Sequence, residues 1–155
     1  MRKSIKTKRE FLPDPVYNSL TVTKFVGHLI KDGKKSLAQK ILYSALEKIK
    51  EQTKKDPLEV FDLAIKNTSP FLEVRPRRVG GATYQVPREV RGERRFSLAS
   101  RWIIDAAFGR KGKSITQRLA EEIVSAAKNE GGAVKKKENI HKLAEANRAF
   151  AHFAW

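Results

Sequence analysis

The chain has 155 residues, and its 33 Lys and Arg against 17 Asp and Glu leave a formal charge of +16 at pH 7. A hydrophobic fraction of 40% is too high for a disordered basic tail and is enough for one folded core. The absence of cysteine excludes disulfides, a thiolate nucleophile and Cys-ligated zinc or iron–sulfur centres, and no apolar run approaches the ~18 residues of a membrane span.

The first 18 residues read as a basic extended arm. Arg2, Lys3, Lys6, Lys8 and Arg9 face only Glu10, and Pro13 and Pro15 disfavour helix in the residues before them. No apolar stretch follows the charged start, so a signal peptide is not expected. From residue 19 to 155 the pattern is that of a single helical domain. Val22, Phe25, Val26 and Leu29 fall on one helical face, with Ser19 placed to cap it and Asp32-Gly33 to end it. A second helix over about 36–52 carries Leu37, Ile41, Ala45 and Ile49 on one stripe, widened by Ala38, Leu42 and Leu46. Asp56-Pro57-Leu58-Glu59 opens a third helix, with Asp56 as N-cap and Pro57 at the first helical position.

Residues 71–90 break the helical period. Val74, Val79, Tyr84, Val86 and Val90 favour strands and flank Gly80-Gly81, which predicts a β-hairpin with its tip near Gly80–Thr83. Pro76 and Pro87 cannot donate to a ladder, so both strands are edges and the ribbon should belong to no larger sheet and project from the helices. A fourth helix over about 92–108 has Phe96, Ala99, Trp102, Ile103 and Ala106 on its apolar side. A basic loop at 109–113 leads to Ser114, which with Gln117 forms a capping box for a fifth helix carrying Ile115, Leu119, Ile123 and Ala126. Gly131-Gly132 should stop it. A last helix over about 134–150 would turn Ile140, Leu143, Ala144 and Phe150 inward. The fold class is therefore mainly α: one bundle of about six helices, with a protruding two-stranded ribbon between the third and fourth.

Charge is concentrated on part of this frame. Nine of the thirteen arginines lie between Arg75 and Arg110, opposed in that window only by Glu89, Glu93 and Asp105. Arginine's planar fork grips phosphate through two parallel hydrogen bonds and stacks on bases. Such a local excess of one sign is costly without a counter-charge, so the pattern points to a polyanionic partner. Strand alternation puts Arg75 and Arg77 on one face of the ribbon and Arg78 on the other. Lys34 and Lys35 sit at a helix start, where unpaired N–H groups already favour an anion. Lys135, Lys136 and Lys137 open the last helix against its dipole, which suggests an outside anion there. Arg110, Lys111 and Lys113 form a further cationic loop, and these three, with Lys135 and Lys136, are expected to contact a nucleic acid if the partner is one. Arg101 is spaced to pair with Asp105 along one helix.

Enzyme readings find little support. His28, His141 and His152 have no metal-ligand spacing, and the segment ending in Gly112-Lys113-Ser114 lacks the earlier glycine and the preceding strand of a P-loop. Asn67-Thr68-Ser69 is a glycosylation triplet by chance. The rival from the residues alone is an architectural DNA-binding protein, which also combines helices with basic ribbons. A third reading, an RNA-processing enzyme, lacks a nameable pair of residues to activate water.

The stretches DGKKSLAQKILYSAL (32–46), RRVGGATYQVPREVR (77–91) and AVKKKENIHKLAEANRAFAHFAW (133–155), with LPDP at 12–15 and RW at 101–102, closely resemble the small-subunit ribosomal protein seven family of the bacterial type. The resemblance implies a helical bundle with a projecting ribbon and a structural, non-enzymatic role in translation. It implies direct binding to the 3′ major domain of the small-subunit ribosomal RNA, nucleation of head assembly, and a place near the exit-site tRNA and mRNA. Ribosomal proteins nine and eleven of the small subunit would be neighbours. The location would be a cytoplasmic ribosome, an organelle-encoded copy being the alternative. Carried onto this chain, the arm cations Arg2, Lys3, Lys6, Lys8 and Arg9, then Lys34 and Lys35, the ribbon's Arg75, Arg77 and Arg78, and Arg91, Arg94 and Arg95 would hold RNA. The tip Gly80, Gly81, Ala82, Thr83 and Tyr84 would approach the tRNA. No cofactor, metal, membrane or small-molecule substrate is expected.

Overall fold

The computed structural model describes residues 11–153, so the arm cations Arg2, Lys3, Lys6, Lys8 and Arg9 lie outside the described residues. The order is α1 (Leu20–Leu29), α2 (Lys35–Thr53), α3 (Pro57–Thr68), β1 (Leu72–Val79), β2 (Ala82–Glu89), α4 (Gly92–Gly109), α5 (Ile115–Ala127) and α6 (Gly132–Ala146). A 3₁₀ segment, Arg148–Phe153, follows. This is the expected mainly helical architecture, with an antiparallel two-stranded ribbon between α3 and α4.

The core follows from the apolar stripes. Helix α5 packs against α2, α3 and α4, and its Leu119, Ala120, Ile123 and Ala126 are fully buried. Phe25 of α1 meets Phe61 of α3 edge to face, with ring centroids 5.1 Å apart, the arrangement that ring quadrupoles favour. Trp102 is buried in the same core, as its place on the apolar arc of α4 requires. Asp56 caps α3 by accepting from the Leu58 N–H at 3.0 Å, and the Ser114 hydroxyl accepts from the Gln117 N–H at 3.4 Å to cap α5.

Several local expectations are corrected. Ser19 holds the N-cap position of α1, but its hydroxyl bonds the Thr21 hydroxyl at 2.6 Å and caps no backbone N–H. Leu37 and Leu143 are exposed: the packed face of α2 is narrower at its start, and α6 buries Ala133, Val134 and Ala144 and packs Ile140 against the core while leaving Leu143 outside. Helix α5 ends at Ala127, before the glycine pair, because Asn129 takes the left-handed conformation (φ 63°). Gly131 and Gly132 instead begin α6. Phe150 lies in the 3₁₀ segment, since α6 stops at Ala146. Asp105 does not pair with Arg101; its nearest cation is Lys136 Nζ, at 3.6 Å.

Residues 11–18 are tied to the bundle. Asp14 is buried: one carboxylate oxygen accepts from the Tyr43 hydroxyl at 2.7 Å, and the other from the N–H groups of Val16 and Tyr17. Burial, and then the hydrogen bond to Asp14, push the Tyr43 hydroxyl up to about 12, so the phenol stays protonated as the donor. Asn67, whose triplet suggested nothing structural, donates to the carbonyls of Ala126 and Ala127 and satisfies the end of α5.

Candidate nucleic-acid interface

The ribbon is a regular ladder from Leu72↔Glu89 to Val79↔Ala82, closed by Gly80-Gly81. Both glycines have positive φ, +57° and +91°, the conformation that a two-residue turn matching the twist of its strands demands. In this register Arg75 and Arg77 share one face with Glu73, Val86 and Tyr84, and Arg78 lies on the other.

The ribbon's base is fixed to the bundle through Phe71. Its carbonyl accepts from the Val90 N–H at 3.0 Å, and its N–H donates to His141 Nε2 of α6 at 3.1 Å. The guanidinium of Arg95 lies 4.9 Å from the Phe71 ring centroid while its Nε donates to the Val90 carbonyl at 2.8 Å. Burial, with Lys137 adding to it, lowers the His141 pKa. A lowered pKa favours the neutral imidazole, the form in which Nε2 can accept. His28 is also lowered, by burial first and Arg101 second.

Beside this base, Glu73 is nearly buried and holds two arginines. Its Oε1 accepts from Arg75 Nε at 2.6 Å and its Oε2 from Arg94 Nε at 2.7 Å. The two guanidinium side chains remain nearly half exposed, at 47% and 46%. The acid lies just outside the arginine-rich window, so the sequence count of opposing charges omitted it. Its signal was available: it is the sole acid inside the first strand, two positions before Arg75.

The other expected contacts divide into two groups. Arg78 and Arg91 are exposed, and neither forms an ion pair among the described residues; Arg88, on the same stretch, behaves likewise. Lys34 and Lys35 are exposed at the start of α2, where no side chain caps the helix, and Lys111 and Lys135 are also exposed. In contrast, Arg110 turns inward. It donates from Nε and Nη2 to Glu122 Oε2, at 2.9 and 2.5 Å, and Glu122 is only 1% exposed. The other oxygen of Glu122 accepts from the Ala133 N–H at 2.9 Å, so this pair joins the basic loop, α5 and the start of α6. Lys113 bonds Glu121, Lys136 faces Asp105, and Lys137 donates to the Asn67 carbonyl at the end of α3. The unfavourable cation of the α6 dipole is thus, at Lys137, a favourable one for α3. Glu122 went unrecognised, although an acid within the Leu119–Ile123–Ala126 stripe marks a buried charge.

The outer half of the ribbon is less free than a bare projection. The Tyr84 ring lies 5.1 and 5.4 Å from those of Phe150 and Phe153, and Arg77 Nη1 donates to the Phe153 carbonyl at 2.6 Å. The 3₁₀ segment therefore braces β2 and leaves Gly80, Gly81, Ala82 and Thr83 as the exposed tip.

No group of His, Asp and Glu among the described residues could hold a metal ion, and no described helix is long and apolar enough to cross a membrane. What the structure does present is a rigid helical frame carrying outward arginines on a ribbon and on the adjoining helix start. That arrangement suits a structural protein with a polyanionic partner such as a nucleic acid. The family model for ribosomal protein S7p/S5e matches residues 1–148, and the chain belongs to that family. It is similar to small ribosomal subunit protein uS7 of Caldanaerobacter subterraneus subsp. tengcongensis, with 62% identity over 154 residues and 99% of each chain covered. The corresponding protein of Carboxydothermus hydrogenoformans is 60% identical over 99% of each chain, and that of Thermotoga maritima 57% identical over the full length of both. The chain is a structural constituent of the small ribosomal subunit and not an enzyme, and small-subunit ribosomal RNA is its partner there.

Proposed function

We propose that this chain binds the 3′ major domain of the small-subunit ribosomal RNA and nucleates assembly of the subunit head. The observation that carries the reading is the division of the cations. Arg78, Arg88 and Arg91 are exposed around the ribbon and the start of α4 with no ion pair among the described residues, whereas Arg110, Lys113 and Lys137 are engaged by Glu122, Glu121 and the Asn67 carbonyl. A positive surface thus gathers on one part of a stiff frame. Phosphates from several RNA helices would be held there, with counterion release supplying much of the affinity. Recognition is by shape, because the deep groove of A-form RNA is closed to side chains. The exposed tip, Gly80–Thr83, would lie toward the exit-site tRNA and the mRNA, with ribosomal proteins nine and eleven as neighbours, in a cytoplasmic ribosome of the bacterial type. The arm at 2–9, with Lys34 and Lys35, would extend the contact.

A competition titration separates this reading from an architectural DNA-binding role. The full chain is bound to a labelled transcript of the 3′ major domain at fixed salt and challenged with unlabelled transcript or duplex DNA. Displacement by the transcript alone is expected. Equal displacement by duplex DNA at the same nucleotide concentration would overturn the reading.

A further inference from the structure

We propose that Glu73 is a positioning residue that joins Arg75 and Arg94 into one phosphate-binding fork at the junction of β1 and α4. The inference deepens the RNA-binding reading and rests on it for the identity of the ligand.

The geometry is unusual for a pair formed only to satisfy a buried acid. One arginine can satisfy a carboxylate through two parallel bonds from Nε and an Nη. Here each oxygen of Glu73 instead takes the Nε of a different arginine, one from the ribbon and one from the first turn of α4. Neither guanidinium is used fully. The Nη nitrogens of both make no hydrogen bond or ion pair to another described residue, and both side chains are nearly half exposed.

Without Glu73, two like charges would sit close together on separate elements, and each long side chain would be free to swing away. With it, each guanidinium is anchored through its Nε to one shared carboxylate, at 2.6 and 2.7 Å, and the cluster keeps a net charge of +1. Arg94 also lies near the N-terminus of α4, whose dipole favours an anion. A single phosphate group bridging the two Nη edges would complete the cluster. The ligand class is a backbone phosphate of structured RNA. Because both guanidiniums are prepositioned, little side-chain freedom is lost on binding.

The diagnostic variant is Glu73→Gln, which removes a negative charge from an RNA-binding face. Simple electrostatics expects tighter binding; the fork requires weaker binding. We expect affinity for the 3′ major domain transcript to fall about tenfold and the salt slope to drop by about one, with the thermal midpoint reported alongside. Affinity equal to or tighter than that of the parent chain would overturn the proposal. A second readout uses the unmodified protein and inorganic pyrophosphate. The Nε–Hε resonances of Arg75 and Arg94 should shift together along one saturation curve. Resonances that stay fixed, or that titrate independently, would overturn it even if Glu73→Gln fails to fold. If the parent chain does not bind the transcript at all, the ribosomal RNA reading fails, and the pyrophosphate titration still decides the fork.

Discussion

Replacing Arg110 with alanine is expected to remove about 3 kcal/mol of folding stability while leaving the salt dependence of RNA binding nearly unchanged. Glu122 is almost completely buried, and two of its three hydrogen bonds come from this guanidinium. Breaking a buried pair by deleting one partner leaves an uncompensated charge, which costs more than the pair itself contributed. The Arg110 side chain is 35% exposed, so water reaches part of the site and holds the loss toward the lower end for such pairs. Adding Glu122→Gln to Arg110→Ala should restore a large part of the loss, because Gln keeps an acceptor for the Ala133 N–H without a charge. Urea unfolding of the parent chain and the two variants measures this. A stable Arg110→Ala protein with reduced RNA affinity would reverse the assignment and return Arg110 to the interface.

The complementary prediction concerns residues that bond nothing within the bundle. Changing Arg78, Arg88 and Arg91 together to glutamine should weaken binding of the 3′ major domain transcript roughly 100-fold or more and reduce the magnitude of the salt slope by about two to three. These side chains are exposed and unpaired among the described residues, so the melting temperature and helical spectrum should be unaltered. Filter binding across a salt series, with thermal melts in the same buffers, reads both quantities. A shift in melting temperature without a change of slope would mean that the three arginines support the fold.

The contrast between these two sets shows what could be read before the structure. Helices announced themselves through the spacing of residues such as Val22, Phe25, Val26 and Leu29, and the ribbon through Gly80-Gly81 between β-branched runs. Those signals are local, and local signals are visible in a linear chain. The direction of a charged side chain is not local. Arg110 meets Glu122 twelve positions away, Arg94 meets Glu73 at twenty-one, and Tyr43 meets Asp14 at twenty-nine. Each pairing exists only because helix packing and strand register bring two elements together. Arginine clustering therefore pointed to the ribbon and the start of α4 but could not separate arginines such as Arg110, paired within the chain, from those such as Arg78, exposed and without an ion pair among the described residues. The C-terminal brace was hidden for a related reason: Phe150 falls in helical period with Leu143 and so reads as part of the α6 stripe, whereas its partner Tyr84 lies in the ribbon.

The central claim is that the ribbon and the start of α4 form a cationic surface held rigid for ribosomal RNA. The most direct test is the structure of the assembled small subunit containing this chain. The account predicts Arg78, Arg88 and Arg91 within hydrogen-bonding reach of RNA phosphates, with Arg110 still on Glu122. A subunit in which the ribbon extends into solvent, with those three side chains away from every nucleotide, would contradict it.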